Sequence, residues 1–292
     1  MKSKKLPRWL KKELPRGEAL FRVKDTLRTL KLNTVCRSAK CPNIGECFSA
    51  GTATFMIMGT TCTRDCRFCA VSTGIPDPID SEEPGRVAEA ARILGLKYVV
   101  ITSVTRDDLK DGGAGHFSET VKAVRKSLPD SRVEVLIPDF KGDHNAVGEV
   151  IASRPSVFNH NVETVSRVYP LIRPFADYHR SLMVLKSAKK CNGSIITKSG
   201  LMLGLGETVE EVLFTMEDLR DVGCDLLTLG QYINPSDHHF PVKRFLHPDE
   251  FHEFRSRGEK MGFLQVASGP FVRSSYHAGT FAENVLNPRE KG

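Results

Sequence analysis

Short apolar segments alternate with amphipathic ones along most of the chain. Thr54–Met58, Tyr98–Thr102, Val133–Pro138, Val157–Asn161, Ile195–Met202 and Leu226–Gln231 are brief and apolar, several of them rich in β-branched residues, as buried strands are. Between them, Pro84–Leu94, Phe117–Leu128, Asn145–Ala152, Arg180–Cys191 and Glu207–Val222 repeat apolar positions at helical spacing. Ahead of the first strand, Leu20, Val23, Leu27 and Leu30 mark a further amphipathic helix. Strand and helix in strict alternation predict an α/β fold, with parallel strands joined by crossover helices. A doubly wound sheet fits this order. A barrel of the TIM type, full or partial, suits six units in this length better, and such barrels do chemistry at the carboxyl ends of their strands.

Composition narrows the setting. A chain of 292 residues buries enough surface to need no disulfides, and no run approaches the length of a membrane helix. The first twelve residues lack the apolar stretch of a secretory signal. Eight cysteines at short spacings without such a signal read as metal ligands in a reducing compartment, so a cytoplasmic protein is expected. The net charge of +7 is concentrated: Met1–Lys31 holds eleven Lys or Arg against three acids, a net of +8, and the remainder sums to −1. A neutral body argues against nucleic acid as a partner, since such proteins spread basic charge over a face. The basic arm is either solvated or meets an acidic protein.

Six of the eight cysteines form two triplets. Cys36, Cys41 and Cys47 are spaced C-x4-C-x5-C, and Cys62, Cys66 and Cys69 are spaced C-x3-C-x2-C directly after the first predicted strand. Each triplet is one thiolate short of the four that a [4Fe–4S] cube takes. A cube held at three corners keeps one iron free for another ligand. A structural zinc or a plain electron carrier is the alternative, and either needs a fourth protein ligand, which no nearby Cys or His supplies.

The second triplet, with Phe68 before its last cysteine, resembles the radical S-adenosylmethionine (SAM) superfamily. The stretches T-V-C-R-S-A-K-C-P-N-I-G-E-C-F (Thr34–Phe48), G-T-A-T-F-M-I-M-G (Gly51–Gly59) and R-S-S-Y-H-A (Arg273–Ala278) together resemble the lipoyl synthase family. So do T-S-V-T-R-D-D-L from Thr102, F-N-H-N-V-E-T from Phe158, G-L-G-E at Gly204–Glu207 and the segment Gln231–Val242, and the resemblance spans nearly the whole chain. It implies a partial (β/α)6 barrel over residues 53–234. Residues 1–52 would form a basic arm and an auxiliary-cluster extension, and 235–292 would return to that cluster.

The resemblance also implies two [4Fe–4S] clusters and SAM as cofactors. Cys62, Cys66 and Cys69 would hold the cluster that cleaves SAM to a 5′-deoxyadenosyl radical. Cys36, Cys41 and Cys47 would hold an auxiliary cluster whose fourth ligand is Ser275, with Ser274 the second choice. That cluster would be consumed as the sulfur source, at C6 and then C8 of an octanoyl chain carried on a lipoyl carrier domain. The implied partners are octanoylated E2 subunits of 2-oxoacid dehydrogenases, the glycine cleavage H protein, and a low-potential donor such as ferredoxin or flavodoxin. One chain alone is the simplest assembly. The rivals are a biotin synthase-like enzyme, an RNA methylthiotransferase and a non-catalytic iron–sulfur or zinc protein. Arg37 and Ser38 stand where the family usually has acids, Phe48 where it has Trp, and Thr105 at a position usually acidic.

Weaker signals remain. Gly112 and Gly113 follow the second strand and would let backbone approach the methionine amino group of SAM, or simply form a turn. Glu207 would border the ribose or cap the next helix. Asn159, His160 and Asn161 end the fourth strand, and His238, His239 and His277 are placed at the pocket mouth or in a solvated loop. Cys191 and Cys224 have no assigned role.

Overall fold

The computed structural model describes residues 6–11, 18–50 and 53–286. Gly51 and Thr52, and the arm positions 1–5 and 12–17, lie outside the described residues. The chain enters through helix α1 (Glu18–Thr29), whose Val23 and Leu27 are buried as their spacing predicts. A two-residue strand β1 (Asn33–Thr34) and short helices α2 (Val35–Ser38) and α3 (Ile44–Ser49) follow, and these helices carry Cys36 and Cys47.

The sheet then opens with β2 (Thr54–Ile57). Two-residue strands β3 (Thr61–Cys62) and β4 (Ser72–Thr73) pair in parallel and close the loop that holds the second triplet. The regular alternation runs α4 (Glu83–Ile93), β5 (Tyr98–Ser103), α5 (Ala114–Ser127), β6 (Arg132–Leu136), α6 (His144–Ala152) and β7 (Val157–Asn159). A short α7 (Tyr169–Ile172) precedes α8 (Tyr178–Cys191), β8 (Ile196–Leu203), α9 (Val209–Asp221) and β9 (Leu226–Gln231). Caps set several helix starts. Asp143 opens α6, Asp177 opens α8, and Thr208 with Glu211 forms a capping box on α9. Glu207 does not cap α9. Its carboxylate accepts from the backbone of Gly204 and Leu205 and closes the G-L-G-E turn on itself.

The strand order β1-β2-β5-β6-β7-β8-β9 is sequential, and every pair after β1–β2 is parallel. The sheet is thus a partial TIM-type barrel, with an antiparallel edge strand, β1, and one further parallel strand added to the six predicted. Residues 235–292 also supply α10 (Pro248–Lys260) and β10 (Gln265–Gly269), a seventh parallel strand that pairs with β9, before α11 (Ala278–Leu286). Gln-Val-Ala-Ser-Gly has a single large apolar residue, Val266, so periodicity did not mark it as a strand.

Along β6 the faces alternate. Val133 and Val135 pack outward on the helices, while Glu134, between them, faces the concave side and is equally buried. Asn159, Lys198 and Thr228 are buried polar residues of the neighbouring strands. The helix-facing side is an ordinary apolar core. The interior of the barrel is polar, and its upper end opens into a cavity.

Candidate active site at the open end of the barrel

That cavity has a volume of about 480 Å3, within the usual range for small-ligand sites. Its wall includes Cys36, Cys41 and Cys47 from the N-terminal extension and Cys62, Cys66 and Cys69 from the loop after β2. Phe68, Ser274 and Ser275 line it too. Two triplets separated in sequence, and a serine pair near the far end of the chain, therefore share one enclosure.

The second triplet sits on a loop with many anchors. Thr63 donates its backbone N–H and its hydroxyl to the Thr105 carbonyl, and its hydroxyl accepts from the Asp107 N–H. Cys62 Sγ accepts from the backbone of Arg64 and Thr105 at 3.4 Å each. Arg64, buried inside the loop, donates to Asp107 at 2.6 and 2.9 Å and to Asp139 at 2.7 Å. Burial alone would raise the Asp139 carboxyl. The Arg64 guanidinium outweighs it and brings Asp139 to about 2. On the other side His239 donates from Nε2 to the Cys69 carbonyl (3.1 Å), because Ser236 Oγ donates to its Nδ1 (2.8 Å). Loops without regular structure hold position only through such bonds.

The first triplet is tied to the C-terminal segment. Asn43 Nδ2 donates to the Phe271 carbonyl (2.7 Å), and the Tyr276 hydroxyl donates to Glu46, next to Cys47 (2.6 Å). His277 Nε2 donates to the same Glu46 oxygen (3.1 Å). The R-S-S-Y turn thereby sits over Cys41 and Cys47. Its two serines differ. Ser274 Oγ accepts from Asn159 Nδ2 (2.8 Å) and donates to Asn161 Oδ1 (3.0 Å). The Ser275 hydroxyl lines the cavity with no hydrogen bond to it among the described residues.

Electrostatics follow from enclosure. Burial pushes the Cys36 and Cys66 thiols up and Cys69 up to about 12, with Arg173 drawing Cys66 back down. Thiols so placed ionise when a cation binds them. Among the described residues no three His, Cys, Asp or Glu groups converge closely enough for a single metal ion. A cube asks for something else, since each cysteine binds a different iron and their sulfurs need not converge on one point. Three cysteines of each triplet on one cavity wall, with Ser275 on the same wall, suit that demand.

Some expected site residues lie elsewhere. Gly112 and Gly113 are not on the cavity wall. Both have positive φ (62° and 91°) and form the turn into α5, and a Cβ there would fall 2.9 Å from Phe140 Cδ1 and 2.3 Å from Met58 Sδ respectively. Their smallness serves packing beneath the site. His238 and His277 are exposed, Cys191 is exposed, and Cys224 is buried and donates to the Leu226 carbonyl. Phe48 is fully buried in the core.

The wall also contains residues that sequence reasoning did not single out. Glu163 has a left-handed backbone (φ 74°), which is costly for a non-glycine residue and frequent at functional sites. Burial raises its carboxyl, with Arg173 opposing. Arg173 Nη1 donates to the Tyr169 hydroxyl (2.7 Å) and the Asn161 carbonyl (3.2 Å), while its buried Nε has no partner among the described residues. His160, which the sequence marks at the end of the fourth strand, donates from Nδ1 to the Ile137 carbonyl (2.9 Å), and its Nε2 has no partner among the described residues. Glu163 was visible only as a member of F-N-H-N-V-E-T. Arg173 follows no motif, and only the fold brings it beside Cys66.

A parallel half-barrel whose open end gathers a C-x3-C-x2-C loop defines the radical SAM class of enzymes. Residues 56–219 match the radical SAM superfamily, and residues 1–41 match the N-terminal domain of lipoyl synthase. Lipoyl synthase of Caldanaerobacter subterraneus subsp. tengcongensis is 57% identical over 272 residues, covering 93% of this chain and 95% of that protein. Lipoyl synthase of Rubrobacter xylanophilus is 54% identical over 279 residues, covering 96% and 87%. Among solved structures, methylornithine synthase superposes with a TM-score of 0.56 at 15% identity, covering 84% of this chain and 82% of that one, a likeness of fold. The chain belongs to the lipoyl synthase family.

Proposed function

We propose that this cavity is the centre of a lipoyl synthase, which inserts two sulfur atoms at C6 and C8 of a protein-bound octanoyl group. In this reading Cys62, Cys66 and Cys69 hold one [4Fe–4S] cluster, and Cys36, Cys41, Cys47 and Ser275 hold the other. The single observation that supports it is the shared enclosure of both triplets with a serine hydroxyl that has no hydrogen-bond partner among the described residues. When bound, the two clusters supply a low-potential electron for SAM cleavage and the sulfur that the substrate acquires.

The chain's own residues do the positioning. Arg64 with Asp107 and Asp139, and His239 at the Cys69 carbonyl, fix the loop of the second triplet. Arg173 and Arg273 line the cavity as cations and suit the carboxylate of SAM. Met56, Val104, Ile137 and Leu201 give the wall apolar surface for an acyl chain. Holding reacting groups in one small enclosure can lower barriers by roughly 7–11 kcal/mol. The Ser275 oxygen is a harder ligand than thiolate, so it would hold the fourth iron less tightly than Cys36, Cys41 and Cys47 would hold theirs.

The substrate is a lipoyl domain carrying the octanoyl group. E2 subunits of 2-oxoacid dehydrogenases and the glycine cleavage H protein are the carriers that fit, with ferredoxin or flavodoxin as donor. We place the enzyme in the cytoplasm, acting as a single chain. Among the described residues no helix is long and apolar enough to cross a membrane. In this reading residues 1–52 and 235–292 flank the core of the barrel, 53–234, and the second of them adds β10 to its sheet before returning to the cavity. The test is mass spectrometry of an octanoylated carrier after anaerobic turnover. Two added sulfurs support the reading, and an unmodified octanoyl chain in the presence of SAM cleavage overturns it.

A further inference from the structure

The concave face of the sheet carries a charged pair that the reaction does not use. Lys198 in β8 and Glu134 in β6 are both fully buried, and Lys198 Nζ donates to both Glu134 oxygens at 2.9 and 3.1 Å. The Tyr98 hydroxyl donates to Glu134 Oε2 (2.7 Å) and Asn159 Nδ2 to Oε1 (2.8 Å). The ring of Phe281, on α11, lies 5.5 Å from Lys198 Nζ. Removing two charges from water is costly, and well-packed apolar residues often do as well or better for stability. Stability is therefore a weak account of the pair.

Its contacts point elsewhere. The amide nitrogen of Asn159 that meets Glu134 also donates to Ser274 Oγ (2.8 Å), and the Ser274 hydroxyl in turn donates to Asn161 Oδ1 (3.0 Å). The network thus runs from the barrel interior to the R-S-S-Y turn and ends one residue before Ser275. Both hydrogen-bonding functions of Ser274 are taken up on the barrel side, and Ser275 is left for the cavity. A weak ligand cannot rely on its own bond to define its place, so the scaffold must hold it, within about 0.5 Å for a working site. A buried charged network is stiff enough for this, because each bond is stronger where water is excluded.

We propose that Lys198, Glu134, Asn159 and Ser274 are positioning residues that hold the R-S-S-Y turn so that the Ser275 hydroxyl meets the auxiliary cluster. This rests on Ser275 being the fourth ligand, and it makes Ser274 an anchor and not an alternative ligand. The test uses the full-length holoenzyme reconstituted with 57Fe, followed by Mössbauer spectroscopy and by the rate of iron release to EDTA without SAM. Ser275→Ala is the reference. Ser274→Ala should accelerate release of the auxiliary half of the iron by roughly 10–100-fold and alter its Mössbauer signature, as removal of an outer partner does at metal sites. Ser274→Thr, which keeps the hydroxyl, should restore the slow rate. The double variant Glu134→Gln with Lys198→Met keeps shape and removes charge. It should release iron as Ser274→Ala does while its thermal midpoint does not fall. If Ser275→Ala changes the spectrum while Ser274→Ala and the double variant match the parent enzyme, the positioning role is overturned. If Ser275→Ala itself changes nothing, the ligand assignment has failed, and with it the inference.

Discussion

Asp139→Asn tests whether the loop of the second triplet is held by charge. Asp139 is fully buried at the carboxyl end of β6, with Arg64 donating to one oxygen and Arg180 to the other. Its carboxyl is brought from 3.8 down to about 2. A difference of that size is worth about 2.5 kcal/mol in favour of the folded, ionised form. Removing one partner of a buried pair can cost about 3–5 kcal/mol. Arg64 keeps Asp107, so the lower figure is the better guide. The expected loss in urea unfolding at pH 7 is about 2.5 kcal/mol, or roughly 4 °C in the thermal midpoint of a chain this long. The pH dependence has a definite sign. A carboxyl whose folded pKa is depressed stabilises above its unfolded pKa and loses that contribution as pH falls through the folded one. The gap between parent and variant should therefore be full above about pH 5 and shrink steadily towards pH 2. Because Arg64 lies between Cys62 and Cys66, anaerobic SAM cleavage should fall as well. A variant within 0.5 kcal/mol of the parent at pH 7, or a gap that widens in acid, would refute the reasoning.

Further expectations are separable. Cys66→Ala should abolish reductive SAM cleavage, measured as 5′-deoxyadenosine by liquid chromatography, and persistence of that product would contradict the assignment of the second triplet. Cys41→Ala should leave cleavage running while ending lipoyl formation, and an unchanged lipoyl yield would remove the first triplet from sulfur donation. Gly230→Ala would bring a Cβ within 2.0 Å of the Val272 carbonyl oxygen. It should cost about 1–3 kcal/mol and displace the R-S-S-Y turn, lowering lipoyl yield more than SAM cleavage. Burial, with Arg173 nearby, lowers His160 from 6.5 to about 4. Stability should then be full above pH 6.5 and drop by roughly 3 kcal/mol as pH falls to 4, and His160→Gln should flatten that slope in urea titrations.

The alternation of strands and helices, and with it the half-barrel, could be read from apolar spacing, because crossover helices and buried strands impose different periods. The cysteine triplets were legible because three thiolates within a few residues have few other uses in a reducing compartment. Strand β10 was not, since its small polar residues carry little periodic signal. Gly112 and Gly113 looked like backbone for a ligand to approach; in the fold they lie off the cavity wall, and Phe140 and Met58 fill the space a side chain would take. Arg173 had no motif at all. Its guanidinium gains meaning only from lying beside Cys66 and Glu163.

What the sequence by itself determined was local: element types, the two groups of thiolates and the family to which they belong. Spacing along a chain can state that three cysteines share one loop. It cannot state that Cys36, Cys62 and Ser275 share one enclosure, or which of two adjacent serines is already hydrogen-bonded. Those facts depend on contacts between residues more than a hundred positions apart, such as Tyr276 with Glu46 and Ser274 with Asn159. Tertiary structure decided them, because the two extensions can close over the barrel only where its polar interior reaches the surface.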